Sequence, residues 1–176
     1  LNTLPDGPGV HVNLDDILKP SLDDEQELRQ LFAQDGTNSR VQSPHVGLVE
    51  VFGDNTDALR KTRARVVDYN SEESLSSKYI IALKESQRRK ESEASMVADL
   101  EQFKRNWAIF TEGSLSQLVD WNNVIAAGGS VLSALLPLSA ENKKSKRAIR
   151  KYYHSIAFPS SDVDLFLWGL TPEQVR

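Results

Sequence analysis

The chain has 176 residues, with 21 basic and 25 acidic side chains, a formal net charge of −4 and no cysteine. That length fits one domain of common size or one and a half, and 39% hydrophobic residues suffice for a core, which excludes wholesale disorder. The missing cysteine excludes a disulfide scaffold, thiol catalysis and any zinc site built on Cys, and it suits an intracellular setting, cytoplasmic or nuclear.

Residues 1–20 hold Pro5, Gly7, Pro8 and Gly9 and read as a loose N-terminal segment. Ser21, Asp23 and Asp24 then supply a helix cap and acids for a first turn. Leu28, Leu31 and Phe32 follow at helical spacing, and Gly36 stops the helix. Residues 37–45 are polar and contain Pro44, the pattern of a loop. Residues 46–52 form a short β-prone run, with a buried helical turn as the alternative. Asp54 and Asp57 open a second helix, which carries Leu59 and the cations Arg60, Lys61, Arg63 and Arg65 to near Tyr69.

A longer helix is predicted over 72–91, with Leu75, Tyr79 and Leu83 as its apolar stripe and Arg88, Arg89 and Lys90 at its C-terminal end. Met96, Leu100, Phe103, Trp107 and Phe110 repeat at three and four residues, the strongest helical periodicity in the chain. Gly113 ends that helix. Ser114 and Gln117 form a capping-box pattern that opens a short helix with Leu115, Leu118 and Val119. Trp107, Trp121 and Trp168 read as core or interface aromatics.

The texture then changes. Residues 124–129 are strand-like and end in paired glycines. Residues 130–136 read as a short apolar helix halted by Pro137. The longest apolar stretch, 124–138, is interrupted by Gly128, Gly129, Ser130 and Pro137. It therefore falls short of the ~18 residues of a membrane span, so no membrane partner is expected. Residues 139–157 form a polar, basic insertion. Residues 162–168 are strongly β-prone. Thr171, Pro172, Glu173 and Gln174 form a helix start with little chain behind it. The first residue is Leu1 and the single methionine is Met96. Together these features predict a fragment of a larger protein. The expected fold class is α+β with helices dominant: a loose segment 1–20, a mainly helical section 21–120, and a strand–helix–strand unit 121–176.

One constellation carries chemistry. Gly128, Gly129 and Ser130 follow an apolar run and open a helix, where backbone N–H groups can approach a phosphate. Asp162 and Asp164 are two apart on a predicted strand, so they project from one face. Two adjacent carboxylates repel unless a cation lies between them. Mg²⁺ is the natural partner, a hard cation that takes carboxylate and phosphate oxygens. A phosphate cradle followed by an acid pair is the pattern of metal-assisted phosphoryl or nucleotidyl transfer.

At these residues the sequence resembles the nucleotidyltransferase superfamily of the DNA polymerase beta type. Ala127-Gly128-Gly129-Ser130 is similar to the family's glycine signature, and Asp162-Val163-Asp164-Leu165 to its acid–apolar–acid strand. The resemblance implies that Gly129 and Ser130 contact a nucleoside triphosphate and that Asp162 and Asp164 bind Mg²⁺ as the catalytic pair. Lys143, Lys144, Lys146 and Arg147 would add charge for the phosphates. The spacer between the two motifs is longer than the family's, and the basic residues 141–151 account for the excess. A third carboxylate on a later strand, which the family uses, has no place after Asp164. The resemblance thus implies half of an active site, inactive alone.

Two other readings stand beside it. One is a helical protein-interaction or scaffolding module, with the glycines as packing residues. The other is a nucleic-acid-binding element on residues 143–151, whose cations precede Tyr152 and Tyr153. The plain alternative for the basic run is a solvated helix or loop. Ser130 lacks the Gly-x-Ser-x-Gly elbow of a serine hydrolase. His11, His45 and His154 are too scattered in sequence to suggest a metal site.

Overall fold

The computed structural model describes residues 14–43, 45–64, 86 and 88–175. The chain divides into two compact units, Leu1–Gly53 with Arg63–Ser92, and Asp54–Thr62 with Glu93–Arg176.

The first unit is built on helix α1, Leu14–Gln34. It begins well before Ser21, with Asp15 and Asp16 as the first-turn acids. Residues 14–20, expected to be loose, are therefore helical. Pro20 lies inside the helix, where it has no N–H to offer the carbonyl of Asp16. Lys19–Asp23 and Glu25–Arg29 are ion pairs one turn apart, the spacing that supports an exposed helix. Ile17, Leu18, Leu28 and Leu31 are half-buried, while Leu22 and Phe32 are exposed. The short helix α2, Ser39–Gln42, is capped by the Asn38 side chain, which accepts from the N–H of Arg40. The Arg40 guanidinium forks between Asp24 and Glu27 at 2.7 and 2.6 Å. Those two carboxylates hold Arg40 more firmly charged than a free arginine.

The β-prone run 46–52 forms no strand; it is turn and irregular chain. Leu48 and Val49 are exposed. A β-prone run is a strand only when another strand takes up its hydrogen bonds, and none pairs with it among the described residues. Most of the expected helix 72–91, and residues 65–69 of the one before it, lie outside the described residues.

The second unit opens with a single 3₁₀ turn, Asp57–Arg60, in place of the longer helix the sequence suggests. The chain then turns extended. Lys61 bridges Ala94 antiparallel, Thr62 N–H donates to Glu93 O and Ser95 N–H to Arg60 O. Helix α3, Leu100–Phe110, starts where the Asp99 carboxylate accepts from the N–H of Gln102 at 2.7 Å. It ends in a turn where Glu112 and Gly113 take positive φ. Residues 114–119 form turns and irregular chain, not a helix. The Ser114 hydroxyl donates back to Thr111 O at 2.7 Å, and among the described residues no following N–H donates to it as a cap would require.

Strand β1, Val124–Ala127, pairs antiparallel with β2, Asp164–Leu167, in a two-stranded sheet. Between them lie α4, Gly129–Leu135, and α5, Lys146–Tyr152, which runs on into a π-helical turn, Tyr153–Ala157. The Asn106 amide on α3 donates to Ala134 O at 3.2 Å in a buried position, and Val97 N–H donates to Leu135 O at 2.8 Å. Together these bonds tie the C-terminal turn of α4 down. The core is Phe110, Leu138, Ile149 and Tyr153, with Ile109, Tyr152, Phe158 and Val163 packed against it. The Phe110 and Tyr153 rings meet edge to face at 5.6 Å. The basic insertion therefore supplies Ile149 and Tyr153 to the core and is integral to this unit. Trp121 and Trp168, expected inside, are exposed.

Candidate functional site

Gly128 forms the turn between β1 and α4 with φ 78° and ψ −158°, a region open to glycine and strained for other residues. The Asp164 side chain also approaches it closely. A Cβ placed there would collide with Oδ2 of Asp164. Asp164 stands opposite Ala127 in the sheet register, so pairing with β1 delivers its carboxylate to the turn. Ser161 stands similarly at the next position, since a Cβ on Gly129 would lie 2.7 Å from its Oγ. The two motifs singled out in the sequence are thus neighbours in space.

The members differ in what they present. Gly128 is exposed and Gly129 half-exposed. Ser130 is wholly buried, and its hydroxyl donates to Ala127 O at 3.2 Å. It closes the turn from inside and offers no surface to a ligand. Gly128 gives no side-chain cap, and the first intrahelical bond runs from Leu132 N–H to Gly128 O. The first N–H groups of α4 therefore have no acceptor within the helix.

Asp164 begins β2, and Asp162 precedes the strand. Val163 is half-buried against the core while Asp162 and Asp164 are exposed. That alternation is what extended chain produces. Neither carboxylate has a hydrogen bond or ion pair among the described residues. No group of three His, Cys, Asp or Glu side chains that could hold a metal occurs among them either. Asp162 and Asp164 nevertheless suit Mg²⁺, which commonly takes one or two carboxylates and completes its shell with water and phosphate oxygens.

Of the basic residues, Lys146 and Arg147 line a groove that none of Gly128, Gly129, Asp162 and Asp164 lines. Lys143 and Lys144 lie in the turn before α5, and Ser145 caps that helix by accepting from Ala148 N–H at 3.1 Å. Lys146, Arg147 and Arg150 line an open groove of about 640 Å³ together with Arg105, Ala108, Ile109, Glu112 and Gly113 from α3 and the turn after it. Arg105 and Glu112 were not singled out from the sequence. Their signal was there, because positions 105, 108, 109 and 112 recur on one helical face. Glu112 accepts from Arg150 Nε at 2.5 Å and lies 3.6 Å from His154 Nε2.

In comparison with known proteins, no family model, curated protein or solved structure matches the chain. Among the described residues, no helix is long and apolar enough to cross a membrane.

Proposed function

We propose that the second unit is a nucleotidyltransferase-like element that binds a nucleoside triphosphate with Mg²⁺ at the β1–α4 turn. One observation carries this reading: the sheet register sets the Asp164 carboxylate against Gly128. An acid beside a glycine turn with free N–H groups favours the helix end but repels a phosphate. A divalent cation resolves the conflict, because it binds the acid and the phosphate together. In this reading Asp162 and Asp164 hold the metal, and the exposed backbone of Gly128 and Gly129 meets the phosphates. Ser130 supports the turn from within. Bound Mg²⁺ would supply charge stabilisation at the phosphates. Two acids suffice for binding, and the reading does not extend to turnover by this chain alone.

Calorimetry tests it. ATP is expected to bind in the presence of Mg²⁺ and not in its absence. Asp164→Ala should weaken that binding by about tenfold or more, ~1.4 kcal/mol, with Asp162→Ala weaker in the same direction. A folded protein that takes up neither Mg²⁺ nor ATP at millimolar concentrations overturns the proposal.

A second reading, a protein-interaction module, draws on the sheet. Ile125 stands opposite Phe166 in the sheet register and both are exposed, apolar surface of the kind that marks interaction sites. Under that reading Phe166→Ser reduces partner binding, while Asp162→Ala and Asp164→Ala have little effect on it.

A further inference from the structure

The groove between α3 and α5 holds a concentration of charge that overall composition does not predict. The chain is acidic, at −4. Yet Arg105, Lys146, Arg147 and Arg150 face one open cleft, with Glu112 as its single acid. Glu112 is taken by Arg150. Arg105, Lys146 and Arg147 are exposed and form no ion pair among the described residues. Lys146 and Arg147 also stand in the first turn of α5, which carries no acid. There the helix dipole disfavours cations. The sequence thus sets like charges together, two of them at the wrong end of a helix, with one acid among four cations. A ligand that brings several negative charges removes all of these costs at once.

We infer that this groove binds the phosphodiester backbone of a nucleic-acid strand. Three unpaired cations exceed what a single phosphate group requires. Arginine's planar fork matches phosphate oxygens in pairs. The cleft is open, suited to a strand that passes through and poorly suited to enclosing a free nucleotide. Ala108 and Ile109 also line it, and among the described residues no aromatic side chain does. Without a ring for a base to stack on, contact is with the backbone and independent of sequence. An acidic protein surface is the rival occupant. Stable protein interfaces commonly centre on buried aromatic anchors, and among the described residues no aromatic side chain lines this groove.

The test is fluorescence anisotropy of the full chain with a labelled single-stranded oligonucleotide of about twelve nucleotides, titrated between about 50 and 200 mM salt. Three backbone contacts give a slope of log affinity against log salt near −2, at about −0.7 per contact. Arg105→Ala and Arg147→Ala should each lower affinity and each reduce the slope by about 0.7. Glu112→Gln should tighten binding, because it releases Arg150 and removes the only negative charge in the groove. Lys104→Ala, on α3 but paired with Glu101, should leave binding unchanged. The replaced side chains are exposed, and far-UV circular dichroism confirms that the variants fold. Binding should persist in Asp164→Ala and without Mg²⁺, so its outcome is separate from that of the nucleotide site. The inference is overturned by no binding at about 50 mM salt, or by affinity and slope that Arg105→Ala and Arg147→Ala leave alone. Displacement of the oligonucleotide by polyglutamate at equal charge also overturns it, in favour of an acidic protein partner.

Discussion

Gly128 illustrates how one residue can be constrained twice. Its backbone lies where a Cβ is strained, and its missing side chain makes room for the Asp164 carboxylate. Gly128→Ala should therefore destabilise the fold by about 1–3 kcal/mol, measured by urea unfolding. In an Asp164→Ala background the penalty should be smaller, because the collision goes and the backbone strain stays. The difference is the coupling energy of the pair. Tyr153 gives a pH prediction. Burial pushes its phenol up from 10.0 to about 12, with Tyr152 adding to the shift. The unfolded chain then loses this proton at lower pH than the folded one. Stability should be intact below about pH 10 and should fall as pH rises toward 12. Tyr153→Phe should remove that component of the alkaline loss. It should cost little at neutral pH, since the buried hydroxyl has no partner in the structure. The glycine pair was legible in the sequence because it follows an apolar run, and the acids because they flank Val163. The inward turn of Ser130 was not legible, since the buried side of α4 depends on Asn106 and Val97, residues remote in sequence.

Among the elements, α3 was the most readable. Its apolar repeat is regular, and Asp99 closes its first turn with a side-chain bond. Asp99→Ala and Ser145→Ala each remove such a cap and should each cost about 0.5–2 kcal/mol in thermal or urea unfolding. The 46–52 run and the 114–119 pattern were misread for a common reason. Both satisfy a local rule, and among the described residues neither meets what the rule presumes: a neighbouring strand in one case, an N–H donating to the Ser114 hydroxyl in the other. The insertion 139–157 was misread because its charges dominate its composition. Only two of its side chains, Ile149 and Tyr153, belong to the buried cluster, and no charge count would have found them. Ile149→Ala should cost about 2–5 kcal/mol, whereas a solvated insertion would tolerate it with almost no change.

At the scale of the whole molecule, burial among the described residues is distributed unequally. In the first unit Val41 alone is buried among the described residues. The second unit buries Val97, Asn106, Phe110, Thr111, Ser130, Ser133, Ala134, Leu138, Ile149 and Tyr153. Among the described residues, amide hydrogen exchange should therefore be slowest in α3 and α4 and much faster along α1, although α1 runs for 21 residues. The α+β class was legible, because helical and strand-like segments differ in period. The division into two units was not, because Asp54–Thr62 belongs with the later part of the chain through bonds to residues 93 and 95. The pairing of β1 with β2 has a further consequence. The turn and the acid are neighbours only while those eight ladder positions stay zipped, and two-stranded sheets are marginal on their own. Whenever the pair frays, the molecule retains both halves of the proposed site and loses their juxtaposition. Apparent affinity for a ligand there is then the intrinsic affinity scaled by the closed fraction. Substitutions on the sheet that touch no ligand, such as Leu167 opposite Val124, would tune binding by setting that fraction.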